Sequence, residues 1–334
     1  MTVVLGVDGG GTKTHALLAD EGGRVLAVSV GGPSNWEVVG VGGTGAVLRV
    51  VVAQALEAAG LDLGAVQASA FGLAGVDWPS DVGRLAFAID PLALGGPHEV
   101  VNDSVVALRA GASRPWGVVV IAGTGSVAAG RNPAGEIYRT LGLGALYGDF
   151  GSANDVSAEA VRAVANAHTG RGPVTQLIER LCEHFEVSSA AEVLERVSRR
   201  DHGGRIEDEI ENVASIVVVA ADAGDLIARD ILERAGAGLG ESALLVARRL
   251  HMLDIEFEVV LSGGLVSGAS RFVSDPLEVA VRREAPRASF VHLDTLPAVG
   301  AALMALELAG VAADADVRER LAASAREALL KEIA

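Results

Sequence analysis

A strand-turn-strand pattern near the start of the chain carries the residues with the clearest chemical potential. The stretch DGGGTKT, Asp8 through Thr14, lies between two apolar runs. Consecutive glycines let backbone N–H groups converge on one point, and such a nest binds anions. Asp8 could hold Mg²⁺, while Thr12 and Lys13 offer a hydroxyl and a cation to phosphate oxygens. The stretch therefore predicts a phosphate-binding turn, although similar glycine turns also occur in ordinary hairpins.

The spacing of this turn differs from two familiar nucleotide motifs. The Walker loop needs four residues between its first glycine and a Gly-Lys-Ser/Thr triplet, whereas here Lys13 follows Thr12. Further on, Gly40, Gly42 and Gly45 spell GxGxxG before a predicted helix. The strand before them is poor and no well-placed acidic residue follows. We interpret that stretch as a loop leading into a helix rather than as a dinucleotide site.

The opening pattern returns roughly 114 residues later. From residue 117 an apolar strand leads into the turn Gly123, Thr124, Gly125 and Ser126, and two more strands follow. The similarity indicates an internal duplication of architecture, with one glycine turn in each of two lobes. Two such turns facing each other across a cleft would hold a polyphosphate from both sides.

Composition limits the class of protein. A chain of 334 residues, 50% of them hydrophobic, predicts two domains. Its net charge of -16 makes a nucleic-acid backbone or an anionic membrane a poor partner. The single cysteine, Cys182, excludes intramolecular disulfides and CxxC metal sites and suits a reducing compartment. Without a signal-peptide pattern or an unbroken apolar run of about 18 residues, we expect a cytoplasmic protein.

The elements around the glycine turns alternate in type. Residues 2–30 are predicted to form three antiparallel strands, and a helix ending at Gly60 follows. A buried strand in 68–78 and a strand running into a helix in 98–111 complete the order βββαβαβα. This order predicts an α/β fold with a mixed sheet covered by helices. After residue 153 the chain is mainly helical until a further strand reaches Gly263 and Gly264.

Five stretches in the same order resemble the nucleotide-binding signature of the sugar kinase, Hsp70 and actin superfamily. They are DGGGTKT, VVNDSVVA (100–107), IAGTGSV (121–127), VLSGGLV (260–266) and PAVGAALMAL (297–306). Within it, the chain resembles the N-acetylglucosamine kinase branch of the BadF/BadG/BcrA/BcrD ATPase family. The matching segments are GPSNW (32–36), FGLAGVD (71–77), AGTGSVAAGRNPAGE (122–136) and YGDFGSA (147–153). The branch that ligates an iron-sulfur cluster is disfavoured because Cys182 stands alone.

The resemblance implies two ribonuclease H-like lobes of the actin-like ATPase type, each with a mixed five-stranded sheet, separated by a cleft. We expect an N-terminal lobe at 1–112 and a C-terminal lobe at 113–310 with a helical insertion at about 153–250. A C-terminal helix at 311–334 is expected to pack back on the first lobe. The family also suggests a homodimer.

The resemblance assigns Asp103 as the general base that accepts the proton of the sugar hydroxyl. An alternative stays open, because an aspartate followed by an apolar helical run is also a normal helix cap.

The resemblance also implies the substrate sites. ATP is expected to bind through residues in three glycine turns, namely Gly10, Gly11, Thr12, Lys13, Gly123, Thr124, Gly125, Gly263 and Gly264. The sugar is expected to bind to Ser34, Asn35, Asn102, Asp103 and Asp149. Mg²⁺ is expected to bind to Asp8 through water. The function implied is ATP-dependent phosphorylation of the 6-hydroxyl of N-acetylglucosamine.

Two departures from the family pattern leave the sugar open. Phe150 stands where relatives often have glutamate, and LGLGALY, upstream of it, lacks a tryptophan common among them. Glucosamine, glucose and mannose therefore remain alternative substrates. A sensor that binds ATP or sugar without transfer, and an ATPase that drives a partner, are alternatives from other classes.

Overall fold

The computed structural model describes residues 1–199, 210, 212–267 and 271–333, and side chains up to residue 329 within these ranges. Residues 200–209 and 211, which fall in the expected helical insertion, lie outside the described residues. The structure contains two five-stranded mixed sheets with helices packed on them. The expected α/β architecture with one mixed five-stranded sheet per lobe is confirmed.

The first sheet has the order β3-β2-β1-β4-β5. Strands β1 to β3 form an antiparallel meander, and β4 and β5 continue the sheet parallel to β1. The apolar residues of β1 and β2 are almost all buried, because helices cover both faces of the sheet. The strands are β1 (Val3–Gly9), β2 (Thr14–Asp20), β3 (Val25–Gly31), β4 (Val66–Leu73) and β5 (His98–Asn102).

The second sheet repeats this plan with the order β10-β9-β6-β7-β8. Its first three strands are again antiparallel, and β9 and β10 run parallel to β6. The glycine turn joins the first two strands of each sheet, as the internal duplication predicted. The strands are β6 (Gly117–Ala122), β7 (Ser126–Arg131), β8 (Ile137–Arg139), β9 (Phe257–Ser262) and β10 (Ala288–His292).

Twelve described helices complete the fold. Three accompany the first sheet, namely α1 (Trp36–Ala59), α2 (Pro79–Ile89) and α3 (Asp103–Gly111). Six come next in the chain: α4 (Ala153–His168), α5 (Leu177–Phe185), α6 (Ala190–Arg199), α7 (Val213–Asp222), α8 (Leu226–Arg249) and α9 (Gly264–Ser267). The last three are α10 (Arg271–Glu284), α11 (Pro297–Leu308) and α12 (Ala315–Ile333).

Helix α1 is the one described helix long and apolar enough, by length and composition alone, to span a membrane. The sequence prediction had found no apolar run of that length. One face of α1 packs into the core beside the first sheet through Leu48, Val51, Ala55 and Leu56. A core helix passes the same test, so one such helix is weak evidence for a membrane segment.

Helices α3 and α11 cross in direct backbone contact between the two sheets. A Cβ atom at Gly300 would lie 1.9 Å from the carbonyl oxygen of Val106, so only glycine fits the crossing. Gly6 of β1 is equally restricted, since its Cβ would lie 2.3 Å from the nitrogen of Ala302. Helix α11 therefore packs on the first sheet, although it falls within the range 113–310 expected for the second lobe.

Helix α12 also contacts the first sheet. The hydroxyl of Ser324 accepts a hydrogen bond from Val25 N of β3 at 3.0 Å. Leu321 and Ala325 are fully buried in the cluster that includes β1, β2 and α11. The C-terminal part of the chain thus adds a hydrophobic layer to the first lobe.

Candidate active site

The candidate site lies at the carboxyl ends of the parallel strands of the first sheet. In register, Gly9 of β1 pairs with Leu73 of β4, and Leu73 pairs with Asn102 of β5. Asp8, the loop after Leu73 and Asp103 are therefore brought to one edge. In open α/β sheets this edge is the usual place for a ligand.

The first glycine turn is closed by one internal hydrogen bond. Gly10 N donates to the carbonyl oxygen of Lys13 at 3.0 Å, and Ser34 N donates to Gly10 O at 3.1 Å. Gly11, Thr12 and Lys13 are exposed, and in the described residues the N–H groups of Gly11 and Thr12 make no hydrogen bond within the protein. The turn thus presents free donors and an ammonium group to an anion.

The second glycine turn is also closed by a backbone hydrogen bond. Gly123 N donates to Gly125 O at 3.0 Å, and the first turn of α4 binds it from behind, with Ala153 N donating to Gly123 O at 2.9 Å. Gly263 packs its backbone against this turn. With φ at 97°, its Cβ would lie 2.4 Å from Ala122 O and 2.8 Å from Gly123 N. Only glycine allows this approach, and it brings the end of β9 onto the second turn.

A cavity of about 650 Å³ opens beside the second turn. Gly123, Thr124 and Gly264 form one side of it, and apolar side chains of α7 and α9 form much of the rest. An apolar cavity with a few polar groups suits a flat heterocycle such as a purine. Sequence reasoning missed most of its walls, which carry no glycine or charge signal: Ala153, Asn154, Ser157, Ile210, Asn212, Ala214, Ser215, Val218, Val219 and Leu265.

The helix cap predicted as the alternative role of Asp103 belongs to its neighbour. Asn102 is the N-cap of α3, and its Oδ1 accepts hydrogen bonds from the backbone N–H and the hydroxyl of Ser104. Its Nδ2 donates to Val76 O and to Asp77 Oδ1, both at 3.3 Å. Asn102 is fully engaged by the protein, which does not favour the direct sugar contact implied for it. Asp103 is left as the first helical residue.

The surroundings of Asp103 raise the pKa of its carboxyl group. Burial, the largest cause, raises the pKa of Asp103 to about 7, and the negative charges of Asp8 and Asp77 add to this. The backbone N–H of Ser104 and the guanidinium of Arg139 act in the opposite direction. A carboxylate with a pKa near 7 is well matched to accept a proton at neutral pH.

Asp8 is the carboxylate that could hold a magnesium ion. Its side chain is 17% exposed, and its Oδ2 lies 3.8 Å from Nδ1 of the buried His15, across the β1–β2 ladder. Among the described residues no cluster of three or more metal-ligating side chains occurs. A single carboxylate still fits Mg²⁺, which usually takes one or two carboxylates together with waters and phosphate oxygens.

Two residues expected to bind sugar make contacts that hold the loops around the site. Ser34 is 1% exposed, and its Oγ accepts a hydrogen bond from Thr14 Oγ1 at 2.8 Å. Asp149 is buried, and its Oδ2 accepts from Leu143 N at 3.1 Å. Asn35 caps α1 through its Oδ1, which accepts from Glu37 N, and it is only partly buried.

An ion pair that the sequence did not reveal joins the two sheets beside Asn102. Arg139 Nη2 of β8 lies 3.0 Å from Asp77 Oδ1 in the loop after β4. Asp77 belongs to the FGLAGVD segment, whereas no sequence motif around Arg139 pointed to it.

Phe150, which stands where relatives often have glutamate, packs against the core of the second lobe over Gly238.

Comparison with known proteins places this geometry in a family. The profile of the BadF/BadG/BcrA/BcrD ATPase family matches residues 5–305. The chain belongs to the BadF/BadG/BcrA/BcrD ATPase family. The match spans both glycine turns and α11, so the family assignment covers every element of the candidate site.

Two proteins that are similar to this chain are named as sugar kinases. The N-acetylmuramic acid/N-acetylglucosamine kinase of Clostridium acetobutylicum is 29% identical over 305 residues, covering 91% of this chain and 98% of that protein. The N-acetyl-D-glucosamine kinase of Dictyostelium discoideum is 28% identical over 315 residues, with the same two coverages of 91% and 98%.

Solved structures agree on the fold. A candidate N-acetylglucosamine kinase from Chromobacterium violaceum has a TM-score of 0.68 and 25% identity, covering 91% of this chain and 99% of that chain. The ROK hexokinase of Thermus thermophilus has a TM-score of 0.57 at 19% identity, covering 92% of this chain and 99% of that chain. The second likeness bears on the fold alone. Together they confirm the two-lobed actin-like architecture.

Proposed function

We propose that the protein is an ATP-dependent kinase that transfers the γ-phosphoryl group to the 6-hydroxyl of N-acetylglucosamine. The observation that carries this proposal is the carboxylate of Asp103, which does not cap α3 and has a pKa near 7. It lies at the same sheet edge as Asp8 and the first glycine turn. The names of the two relatives with nearly full-length similarity support the same reaction.

In the proposed mechanism Asp103 accepts the proton of the acceptor hydroxyl while that oxygen attacks the γ-phosphorus. The bond between the γ-phosphorus and the bridging oxygen breaks, and ADP leaves. Phosphoryl transfer asks the protein mainly to position groups and to neutralise charge. Asp103 provides the position and the base, and its high pKa keeps it a competent acceptor.

The phosphates are proposed to bind to the two glycine turns. The backbone groups of Gly10, Gly11 and Thr12 with the Lys13 ammonium serve one side, and those of Gly123, Thr124 and Gly125 the other. The base and ribose are proposed to occupy the cavity beside Gly264, with the Gly263 backbone in close contact. Asp8 is proposed to hold Mg²⁺, through water. When bound, Mg²⁺ neutralises phosphate charge that the turns leave unbalanced.

The sugar is proposed to lie against Asp103, Asn35 and the loop held by Asp149. Asn102 and Ser34 serve this site by support: Asn102 caps α3, and Ser34 links the α1 loop to β2. Phe150 stands where relatives often have glutamate, so the polar contact that a glutamate would offer the sugar is absent. Glucosamine, glucose and mannose are accordingly the competing acceptors.

The test is a coupled ADP-release assay with N-acetylglucosamine, glucosamine, glucose and mannose, for the wild type and for Asp103→Asn. We expect the highest kcat/KM with N-acetylglucosamine and a loss of about 10²–10⁴-fold in Asp103→Asn. ADP release that does not depend on any sugar would support an ATPase that drives a partner. ATP binding without ADP release across the panel would support a sensor.

We further propose that the protein is cytoplasmic and forms a homodimer. Within each chain the two lobes are proposed to meet at the α3–α11 crossing. The net charge of -16 and the apolar face of α1 buried in the core are consistent with this environment. We place the end of the second lobe before α11, near residue 296, because α11 and α12 pack on the first sheet. Light scattering on the purified chain tests the dimer.

A further inference from the structure

One ion pair crosses from the second sheet to the candidate site. Arg139, the last residue of β8, donates from Nη2 to Asp77 Oδ1 at 3.0 Å and from Nη1 to Asp77 O at 3.2 Å. The side chains are only 16% and 11% exposed. Arg139 Nη2 also donates to Leu141 O at 2.6 Å. The guanidinium is therefore held on one side by its own lobe and on the other by the first lobe.

The contact continues to the proposed base through one residue. Asp77 Oδ1, which accepts from Arg139, also accepts from Asn102 Nδ2 at 3.3 Å. Asn102 in turn caps α3 and is joined covalently to Asp103. The backbone of Asp77 is fixed separately, because its N–H donates to Asp81 Oδ2 at 3.1 Å. The sequence of contacts Arg139, Asp77, Asn102 thus ends at the first residue of α3.

The charges around the ion pair show why a cation is needed there. Glu37 of α1, Asp77 and Asp81 of α2 are carboxylates that act on one another, and burial raises the pKa of both Glu37 and Asp77. Arg139 opposes both shifts. Removing one partner of a largely buried ion pair leaves the other charge uncompensated. Without Arg139, the Asp77 carboxylate would be a largely buried charge with no cationic partner.

The guanidinium is largely buried. Among the described residues its Nε is one of the buried side-chain atoms. Gly142 lies over the guanidinium, since its Cβ would be 2.8 Å from Nη2, so the arginine is enclosed by its own loop as well.

We propose that Arg139 is a positioning residue: its ion pair with Asp77 fixes Asp103, through Asn102, at the acceptor hydroxyl when the two lobes are together. The proposal rests on the proposed kinase function. It makes the catalytic position of a residue in the first lobe depend on a side chain from the second. Misplacement of a catalytic group by about 1 Å can lower a rate about 100-fold.

The test uses Arg139→Met, Arg139→Lys, Asp77→Asn and the double variant Arg139→Met/Asp77→Asn in the full chain. Arg249→Met is the matched control, because Arg249 stacks on Tyr138 of the same short strand but is exposed. The readouts are kcat and KM for the sugar, the Kd for MgATP by calorimetry without sugar, and the thermal unfolding temperature.

We expect Arg139→Met to lower kcat about 100-fold while the Kd for MgATP stays within about twofold of the wild type, because among the described residues the hydrogen bonds of Arg139 go to Asp77 and Leu141 and not to a glycine turn. Arg139→Lys should recover about tenfold of the loss, since an ammonium restores the charge without the fork. The double variant should be no worse than either single variant, as expected for two residues acting through one contact. Arg249→Met should keep the wild-type kcat.

A wild-type kcat in Arg139→Met, or losses that multiply in the double variant, would overturn the proposal while leaving the kinase function in place. If Arg139→Met does not fold, Arg139→Lys and Asp77→Asn carry the test, and wild-type kcat in both would overturn it. If the wild type phosphorylates none of the sugars, the kinase function fails first and the positioning role falls with it.

Discussion

At the scale of single residues, the candidate site depends on which of two adjacent side chains caps a helix. Asn102 takes the cap of α3 and leaves Asp103 free, although either residue type is a good N-cap. The amide has both a donor and an acceptor, so it can bind Ser104 and Asp77 at once. A carboxylate in that place could only accept. With Asn102 as the cap, the Asp103 carboxylate is left out of the cap hydrogen bonds.

The raised pKa of Asp103 predicts opposite effects of pH on stability and activity. Its folded pKa of about 7 exceeds the ordinary value of 3.8, so the stabilising contribution is complete below pH 3.8 and is lost as pH rises through about 7. Asp103→Asn, which stays neutral, should therefore be more stable than the wild type at pH 8, by about 4 kcal/mol, and should lose this advantage near pH 4.

The measurement is urea unfolding of both proteins at pH 4 and pH 8. In parallel, kcat/KM of the wild type for sugar should fall as pH drops below about 7, because protonated Asp103 cannot accept the hydroxyl proton. Equal stabilities of the two proteins at both pH values would contradict the assignment of that pKa. A pH-independent kcat/KM would contradict the role as base.

The cap itself gives a second prediction at this scale. Asn102→Ala should lower the free energy of unfolding by about 1 kcal/mol, the usual cost of a lost cap, and should also lower kcat because α3 begins at Asp103. Asp225→Ala is the control, since Asp225 caps α8 by accepting from Ala228 N but lies in the helical part of the second lobe. It should lose similar stability with no change in kcat, as measured by urea unfolding and ADP release.

At the scale of elements, the two connecting helices determine how the lobes meet. Helix α3 begins at the proposed base, and α11 crosses it where Gly300 contacts Val106 O. At the other end of the crossing Arg109, buried on α3, lies 2.9 Å from Glu307 of α11. Glu307 also lies 3.9 Å from Arg131 of β7. The crossing is thus fixed by close backbone packing in the middle and by charges at one end.

The crossing predicts that Gly300 tolerates no side chain. Gly300→Ala would place a Cβ 1.9 Å from a backbone oxygen, so the helices must separate, and we expect a loss of about 1–3 kcal/mol of stability. Gly83→Ala in α2 is the matched control, because nothing lies within 4 Å of its Cβ position. That variant should gain up to about 1 kcal/mol from helix propensity. Urea unfolding of both variants checks this, and equal stability changes would contradict the close crossing.

At the scale of the whole molecule, the two lobes each contribute part of the candidate site. The first provides Asp8 and Asp103, and the second provides the glycine turn at Gly123 and the side chain of Arg139. Transfer to water must be suppressed until the sugar is bound, which favours closure of the lobes around the substrates. The site is therefore expected to be complete only when the lobes are together.

Closure predicts a change in size that scattering can detect. The radius of gyration measured by small-angle X-ray scattering should decrease when both an ATP analogue and the sugar are bound. The ATP analogue alone should cause a smaller change. ADP release without sugar should be slow compared with the sugar-dependent rate. An unchanged radius with both ligands would argue that the lobes are already closed or do not move.

The sequence by itself determined the two-lobed α/β plan, because a glycine turn between two apolar strands is a local signal and it occurs twice. It also pointed to Asp8 and Asp103, since both stand at predicted strand ends, in segments that resemble the family motifs. Their place at one sheet edge follows from strand register alone.

Only the tertiary structure decided what depends on contacts distant in sequence. The cap at Asn102 is local, yet its bond to Asp77 spans 25 residues, and the pair of Arg139 with Asp77 spans 62. Ser34, in the loop after β3, is buried where it packs on Thr14 of β2. Most walls of the cavity beside the second glycine turn are small polar or apolar residues that belong to no motif. A single sequence records the type of each residue but not which residues meet, because burial and pairing arise when the sheets and helices pack together.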